Sequence, residues 1–362
     1  MPRLHELDAL RAFSMLLGIV LHAAVLMFPG DWPAEYIESP MPGIYDEVFH
    51  FIHGFRMQVF FMMSGFFTVL LWNRRGVKAL IKHRLIRIGI PLAFGALTIA
   101  PLDAMLVATF ILDYDFTAVR WITTWTRSLS ILWFLWYLLM FAGILILALQ
   151  TGLRFNRAKV WWALLFVPIV PQFLMPIDTF GPFTPLALNP DPVSLVYYLA
   201  FFLMGVHLYQ RSMTIQSWWT LALVPGLCVL IPGILLDQRA ESASARFLSS
   251  VVEVAYAWLM CFGLMGAFHI VASKERWWIR YMSDASYWIY IWHFAVVMVL
   301  IGLTDDWGLS SAIRFILICI ATPALLLIPY RLGVRYTIIG TILNGRRVRS
   351  SRVLPSVSDT VG

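Results

Sequence analysis

An arginine and a histidine share one face of the first apolar segment of the chain. At about 100° per residue on a helix, Asp8, Arg11, Ser14, Gly18 and His22 fall on nearly the same side. Arg11 and His22 are separated by about three helical turns, roughly 16 Å. An imidazole accepts a proton near neutral pH because its unperturbed pKa is about 6.5, and a guanidinium binds anions. An apolar helix does not need this stripe to fold, so the pattern indicates function.

Further ionisable residues fall inside apolar segments that are long enough to cross a membrane. Such residues are costly in lipid and are functional candidates by default. Their positions along the helices predict a polar layer in the outer half of the bilayer, with His293 nearer the middle. The layer consists of His22, His50, His53, Arg56, Asp103 and Glu253. The structural alternatives are ion pairs of the acids with Arg56 or Arg314 that only hold helices together, and a hydrogen-bonded bundle histidine at position 293.

Two arginines stand one helical turn apart, at positions 84 and 87, just before an apolar segment begins. Paired guanidinium groups suit a multiply phosphorylated ligand because they bind phosphate oxygens bidentately. The alternative is the ordinary basic flank of a membrane helix. Spacing alone does not choose between them.

Two other kinds of site fit the sequence poorly. A zinc site of His22, His50 and His53 lacks both the HExxH spacing and clustered cysteines. Ser64 lies within an apolar segment and has no GxSxG elbow, so we interpret Ser64 and Gly65 as a helix-packing pair. The cysteines at 228, 261 and 319 all lie in apolar runs and predict no disulfide framework.

The composition predicts a protein whose solvent is largely lipid. Hydrophobic residues make up 60% of the 362 and charged residues only 13%, whereas soluble domains have about 45–50% apolar and 25% charged residues. The net charge of +7 would suggest nucleic acid in a soluble protein, but basic loops on one side of a membrane explain it here. We therefore expect a multi-pass protein of the bilayer and no nucleic-acid partner.

The apolar runs predict an all-α polytopic membrane bundle of about ten transmembrane helices. The predicted spans are 9–28, 48–72, 89–111, 131–150, 159–175, 193–210, 217–236, 248–272, 286–303 and 311–333. We assign residues 1–343 to one transmembrane domain. Residues 344–362 form a basic, Ser-rich tail that we expect to be disordered and cytoplasmic.

Positive charges predict the orientation. With a cytoplasmic N-terminus, most of the 27 Lys and Arg fall in loops on one side and most loop acids fall on the other. Both termini are then cytoplasmic. The Pro-rich loop 176–192 is expected on the outer side, either as a lid over an outward-facing site or as a plain connector.

Four motifs resemble the acyltransferase-3 family of membrane acyltransferases. The matching elements are Leu7-Asp8-Ala9-Leu10-Arg11-Ala12 with His22, Phe60-Phe61-x-x-Ser64-Gly65-Phe66, Arg84-x-x-Arg87 before Ile88-x-x-Pro91, and the run YWIYIWH at 287–293. The resemblance extends over most of the chain. The run from Phe51 to Phe61 is most similar to the branch that succinylates osmoregulated periplasmic glucans.

The resemblance implies an enzyme of the bacterial inner membrane. Its donor would be a cytoplasmic acyl-CoA (succinyl-CoA or acetyl-CoA), its acceptor a hydroxyl of a periplasmic glucan or other envelope polysaccharide, and it would hold no permanent cofactor. The family's important residues match His22, Arg11, Arg84 and Arg87. The oligomeric state is not implied.

Acyl transfer to a hydroxyl requires removal of its proton, stabilisation of an oxyanion and exclusion of water. We predict that His22 is the general base, with Glu253 or Asp46 as an acidic partner. Arg56 or His53 would face the oxyanion.

Arg84 and Arg87 would anchor the CoA phosphates, and the acyl arm would reach the base through a pore. The predicted lining of this pore is Arg11, Ser14, Gly18 and His22. Both direct transfer and a transient acyl-histidine fit these residues.

Two other functions also fit buried charges in a membrane bundle. Intramembrane His, Arg and acids mark proton-coupled transporters and flippases of polar envelope precursors, although the sequence shows no two-half repeat. The other function is that of a non-catalytic scaffold for enzymes that make an envelope polysaccharide. Such a scaffold would not need His22 and Arg11 on one helix face.

Overall fold

The structure is a computed structural model that describes residues 4–26, 44–110, 115–176, 180–237 and 242–345. This part contains fourteen α-helices and no strand, which confirms the all-α prediction. The helices are α1 His5–Leu26, α2 Ile44–His53, α3 Arg56–Arg84, α4 Ile90–Phe110, α5 Ala118–Arg127, α6 Trp133–Gln150, α7 Ala158–Phe166, α8 Ile169–Leu174, α9 Pro192–Gln210, α10 Leu223–Asp237, α11 Ala243–Val271, α12 Trp277–Thr304, α13 Ser311–Pro329 and α14 Ile338–Asn344. The side chain of Asp46 and residues 346–362 of the predicted tail lie outside the described residues.

The described residues contain eight helical stretches that are long and apolar enough to cross a membrane. One of them, Glu47–Phe110, has 64 residues, so a straight helix would be about 96 Å long, against about 30 Å for the bilayer core. It therefore holds two crossings. The shorter apolar stretch Ala158–Leu174 coincides with the fifth predicted span, so each of the ten predicted spans has a helical counterpart.

Gly76 reverses the chain between the second and third spans. Its φ of 75° and ψ of 175° interrupt α3, and glycine takes a positive φ without a steric penalty. The guanidinium of Arg84 then donates to the hydroxyl of Thr68, sixteen residues earlier. A straight helix would separate these residues by roughly 24 Å. The basic part of α3 after Gly76 therefore folds back against the part before it.

Glycines let α3 and α9 touch backbone to backbone. A Cβ at Gly65 would lie 1.8 Å from the carbonyl oxygen of Phe202, and a Cβ at Gly205 would lie 1.8 Å from that of Met62. Small residues are the usual means of close helix packing in membranes. The packing interpretation of Gly65 is confirmed, and this contact fixes the helix that carries Arg56.

The helix pair α1 and α12 positions the remaining polar residues. These two helices pack along their lengths, and α1 also contacts α2 and α11. Near one end of the pair, the guanidinium of Arg11 donates to the Ser283 hydroxyl at 2.7 Å. Three turns further along α1, His22 faces His293 of α12. The two contacts hold the histidine-bearing parts of both helices in a fixed register.

Candidate active site

Most of the predicted polar layer converges on one cavity of about 500 Å³. Helices α1, α2, α3, α4, α6 and α12 contribute to its wall, together with the segment 180–186. Its polar lining residues are His22, His53, Arg56, Asp103, Ser128, Ser130, Thr184, Tyr290 and His293. Aromatic and aliphatic side chains form the rest of the wall. An apolar pocket with a few convergent polar groups is the usual form of a small-molecule site.

His22 lies in the cavity wall and not on the lipid-facing surface. Its ring centroid is 5.2 Å from that of His293, and the edge of its ring meets Phe294 at the same centroid distance. On α1 the lining residues are Met15, Gly18, Leu21, His22 and Val25, which follow the i, i+3, i+4 spacing of one helical face. The helical periodicity of the sequence therefore placed the imidazole on the correct face.

His293 presents a bare ring nitrogen beside His22. Its Nδ1 lies 2.8 Å from the carbonyl oxygen of Tyr290, and because a carbonyl only accepts, Nδ1 carries the proton. Nε2 then holds the lone pair of the neutral ring, and it has no hydrogen-bond partner in the described part of the chain. The predicted catalytic set did not include His293. The signal for it was its spacing from Tyr287 and Tyr290 in the run YWIYIWH.

Arg56 projects across the cavity to the backbone of α1. A Cβ added at Gly18 would lie 2.4 Å from Nη1 of Arg56 and 3.4 Å from Nε2 of His293. No described residue forms an ion pair or a hydrogen bond with this guanidinium, and its buried Nε has no partner among them. A guanidinium in a low-dielectric cavity, with no counter-ion among the described residues, is suited to an anionic group on a ligand or reaction intermediate.

His53 supports the cavity wall through the segment 180–186. Its Nε2–H donates to the carbonyl oxygen of Pro182 at 2.9 Å, and its ring stacks on Phe49 with centroids 4.8 Å apart. Because one ring nitrogen is bound to backbone, His53 is less available than Arg56 to face an oxyanion. The described part of the Pro-rich loop therefore forms part of the cavity wall, with Gly181, Pro182 and Phe183 among the lining residues.

Glu253 lies behind this wall. Its carboxylate accepts from the side-chain amide of Gln172 at 2.5 Å, from the backbone N–H of Gly181 at 3.0 Å and from the hydroxyl of Ser249 at 3.0 Å. It does not line the cavity, and no described contact joins it to His22. The role of acidic partner that we expected for Glu253 does not fit this position. Its side chain turns toward Gln172 of α8.

Arg11 lies at the other end of α1, outside the cavity. It donates to the hydroxyl and carbonyl of Ser283 at 2.7 and 3.2 Å and pairs with Asp8 at 3.4 Å, with its side chain 38% exposed. Ser14 is fully buried and is also absent from the lining. Of the four residues predicted to line a pore, only Gly18 and His22 face the cavity. A shared helix face does not by itself give a continuous channel, because neighbouring helices close the groove.

Arg84 and Arg87 lie near the beginning of α12. Arg84 donates to the Thr68 hydroxyl, and the carbonyl oxygen of Arg87 accepts from the Tyr287 hydroxyl at 2.7 Å. Tyr287 precedes His293 by six residues, a rise of roughly 9 Å along the helix. The two arginines do not line the cavity, but α12 connects their neighbourhood directly to it.

Asp103 and Ser130 form a polar pair in the cavity wall. The Ser130 hydroxyl donates to Oδ2 of Asp103 at 2.6 Å. Ser130 sits in the short turn before α6 and carried no sequence signal.

Arg314 pairs with Asp305 at 2.9 Å, so it is not the partner of Asp103 or Glu253 that we considered. Within the described ranges, no three His, Cys, Asp or Glu side chains are grouped so that they could hold a metal ion.

Comparison with known proteins agrees with the motifs. A family model described as an acyltransferase domain matches residues 4–331. Glucans biosynthesis protein C of Escherichia coli O157:H7 (strain EC4115) is 24% identical over 96% of this chain and 95% of its own, and the protein from E. coli O9:H4 (strain HS) gives the same values. No solved structure matches the chain. The match over nearly the whole bundle shows that the chain belongs to the acyltransferase-3 family of membrane acyltransferases.

Proposed function

We propose that this protein is an O-acyltransferase that moves an acyl group from cytoplasmic acyl-CoA to a hydroxyl of a periplasmic glucan or other envelope polysaccharide, with His22 as general base. The observation that carries the proposal is the convergence of His22, His293 and Arg56 on one cavity, in which Nε2 of His293 and Nε of Arg56 have no hydrogen-bond partner among the described residues. A structural histidine–arginine cluster would be expected to use its hydrogen-bonding atoms on the protein itself. The name of the similar proteins supports a glucan acceptor, and the branch resemblance supports a succinyl donor.

The cavity supplies the three requirements of acyl transfer. His22 takes the proton of the acceptor hydroxyl as its oxygen attacks the thioester carbonyl carbon. Arg56 stabilises the oxyanion that forms, in a site from which apolar walls exclude water. When the intermediate collapses, the carbon–sulfur bond breaks and the departing thiolate takes the proton from His22. If His22 itself attacked the thioester, an acyl-imidazole would form first and the hydroxyl would then displace it.

His293 replaces Glu253 as the proposed neighbour that orients the base. Its Nδ1–H is bound to the Tyr290 carbonyl, so its Nε2 can only accept a hydrogen bond. The two rings form no hydrogen bond, with centroids 5.2 Å apart, but a lone pair on this side of His22 repels a second lone pair that faces it. This favours the His22 tautomer whose proton points toward His293, which leaves the other nitrogen of His22 unprotonated for the substrate. His293 is therefore a positioning residue in this proposal.

Arg84 and Arg87 are the proposed anchor for the phosphates of the donor. Positive-inside charge supports a cytoplasmic position for their segment, and their contacts with α3 and α12 place them at the foot of the helix that carries His293. The donor would thus approach from the arginine end of α12. The acceptor would approach from the end at which the segment 180–186 forms the wall.

The purified protein in nanodiscs tests the function directly. It would be given succinyl-CoA or acetyl-CoA with a soluble glucan oligosaccharide, and the acylated product would be followed by mass spectrometry. We expect product only when donor, acceptor and protein are all present. Thioester-independent uptake of a polar compound into proteoliposomes, with no acylated product, would identify a transporter and contradict the proposal.

A further inference from the structure

Another buried ionisable group lines the same cavity without a full set of partners. Asp103 of α4 is only 1% exposed, and one of its oxygens, Oδ1, is buried without a hydrogen-bond partner among the described residues. The other oxygen accepts from the Ser130 hydroxyl at 2.6 Å. Buried polar atoms are nearly always satisfied in folded proteins, so an orphaned carboxyl oxygen requires an explanation.

The backbone before α6 is strained where it presents Ser130 to this carboxyl. Ser130 has a φ of 49°, a left-handed conformation that is unfavourable for residues other than glycine. Two bonds stabilise it: its N–H donates to the Ser128 hydroxyl at 3.1 Å, and the N–H of Leu129 donates to the carbonyl of Leu186 at 2.7 Å. Strain of this kind concentrates at functional sites, and Ser128, Ser130 and Leu186 all line the cavity.

Asp103 and Arg56 line one cavity but do not neutralise each other. No ion pair joins them in the described part of the chain, and the hydroxyl of Tyr290, which also lines the cavity, is bound to the Ile131 carbonyl at 2.5 Å. A buried carboxyl and a buried guanidinium within reach of each other would normally pair. Both groups line a space of about 500 Å³, which suits a ligand with both donors and acceptors.

We propose that Asp103 and Ser130 form the acceptor subsite, which binds a carbohydrate hydroxyl next to the one that is acylated. A sugar hydroxyl both donates and accepts, so it suits the carboxyl in either protonation state and the serine hydroxyl beside it. The aromatic rings of Trp133 and Phe134 in the same wall suit the apolar faces of a sugar ring. This inference rests on the proposed function, because it places the acceptor in the same cavity as Arg56 and His22.

The groups at Asp103 and Ser130 suit a carbohydrate better than a metal ion or a proton. A metal ion would require more oxygen ligands than one carboxyl and one hydroxyl, and no metal-binding group of three occurs among the described residues. A proton-carrying acid would need only a titratable carboxyl. It would need neither the strained serine nor the rings.

Two substitutions of Asp103 distinguish hydrogen bonding to a sugar from proton transfer. In Asp103→Leu the side chain keeps its approximate size but loses both oxygens, and we expect the KM for a glucan oligosaccharide to rise about tenfold or more. Asp103→Asn retains a carbonyl oxygen and should restore most of the lost affinity. Ser130→Ala should raise the same KM by a smaller factor.

Direct binding provides a readout that does not depend on turnover. The Kd of the oligosaccharide would be measured by calorimetry in nanodiscs for the wild type, the three variants and Asp191→Asn. Asp191 is the matched control because it also bonds a serine, accepting from the N–H of Ser194 at 2.7 Å, but does not line the cavity. We expect weaker binding for Asp103→Leu and Ser130→Ala and wild-type binding for Asp191→Asn.

The possible failures are distinguishable. Oligosaccharide affinity and acceptor KM that do not change in Asp103→Leu and Ser130→Ala would overturn the subsite, even if acyl transfer is found. Asp103→Asn as inactive as Asp103→Leu, with unchanged binding, would show that a titratable acid is needed and would also overturn it. Conversely, Asp103-dependent binding without any acyl transfer would support the subsite and reject the proposed reaction.

Discussion

Nη1 of Arg56 occupies the space beside Gly18 in which a side chain would begin, 2.4 Å from the position of a Cβ. The absence of a side chain at Gly18 is therefore what lets the cation of α3 reach the histidine-bearing face of α1. His293 lies close to the same point, 3.4 Å from that Cβ position through Nε2. One glycine thus brings together groups from three helices.

Gly18→Ala should move Arg56 and slow catalysis without unfolding the protein. The Arg56 guanidinium ends a flexible side chain and can withdraw, but it would then leave the place of the oxyanion. We expect kcat to fall about 100-fold and the melting temperature to stay near that of the wild type. The control is Gly143→Ala, since a Cβ at that helical glycine meets nothing within 4 Å. Full activity in Gly18→Ala would contradict the role of Arg56.

His293→Ala should lower kcat by about 10- to 100-fold and leave the KM of the donor unchanged, because the base loses the group that orients it. His207→Ala is the matched control. His207 is also buried and also bonds a backbone carbonyl, that of Phe155, but it does not line the cavity. Equal effects of the two substitutions on kcat would show that His293 has only a packing role.

Arg84→Ala and Arg87→Ala should chiefly raise the KM of acyl-CoA, by about tenfold for each lost charge-assisted contact. The rate at saturating donor should change little. Initial rates across a series of donor concentrations measure the difference, with Arg211→Ala as a control on an exposed arginine outside this cluster. A lower rate at saturating donor with an unchanged KM would show that the anchor role is wrong.

Glu253→Leu should destabilise the cavity wall and leave the donor site intact. The substitution leaves the N–H of Gly181 without its acceptor and removes one of the two acceptors of the Gln172 side-chain amide, which keeps its bond to the Gly181 carbonyl. An unsatisfied buried group costs about 1–3 kcal/mol. Thermal unfolding in detergent measures the loss, and Glu275→Leu serves as the exposed control. Glu253→Gln retains an acceptor oxygen and should be milder. If Glu253 were instead the acid that orients His22, Glu253→Gln would lower kcat while the melting temperature stayed high.

Helical periodicity was sufficient to predict the elements and some of the side chains at the site. Apolar length predicted the helices, and residue spacing predicted that Gly18 and His22 share a face, because both depend on local geometry. Ser130 was not predictable, since its place depends on a strained turn bonded to residue 186 and on Asp103 of another helix. The predicted partnership of Glu253 with His22 was wrong for the same reason. The position of a residue along its helix can be predicted from the sequence, but its partner depends on which helix packs alongside.

The most direct test of the account is the turnover number of His22→Ala for acyl transfer to a glucan oligosaccharide at saturating donor. Removal of the general base predicts a loss of about 100- to 10,000-fold in kcat, with donor KM and melting temperature close to those of the wild type. A variant that folds, binds acyl-CoA and still transfers the acyl group at the wild-type rate would contradict the central role of His22.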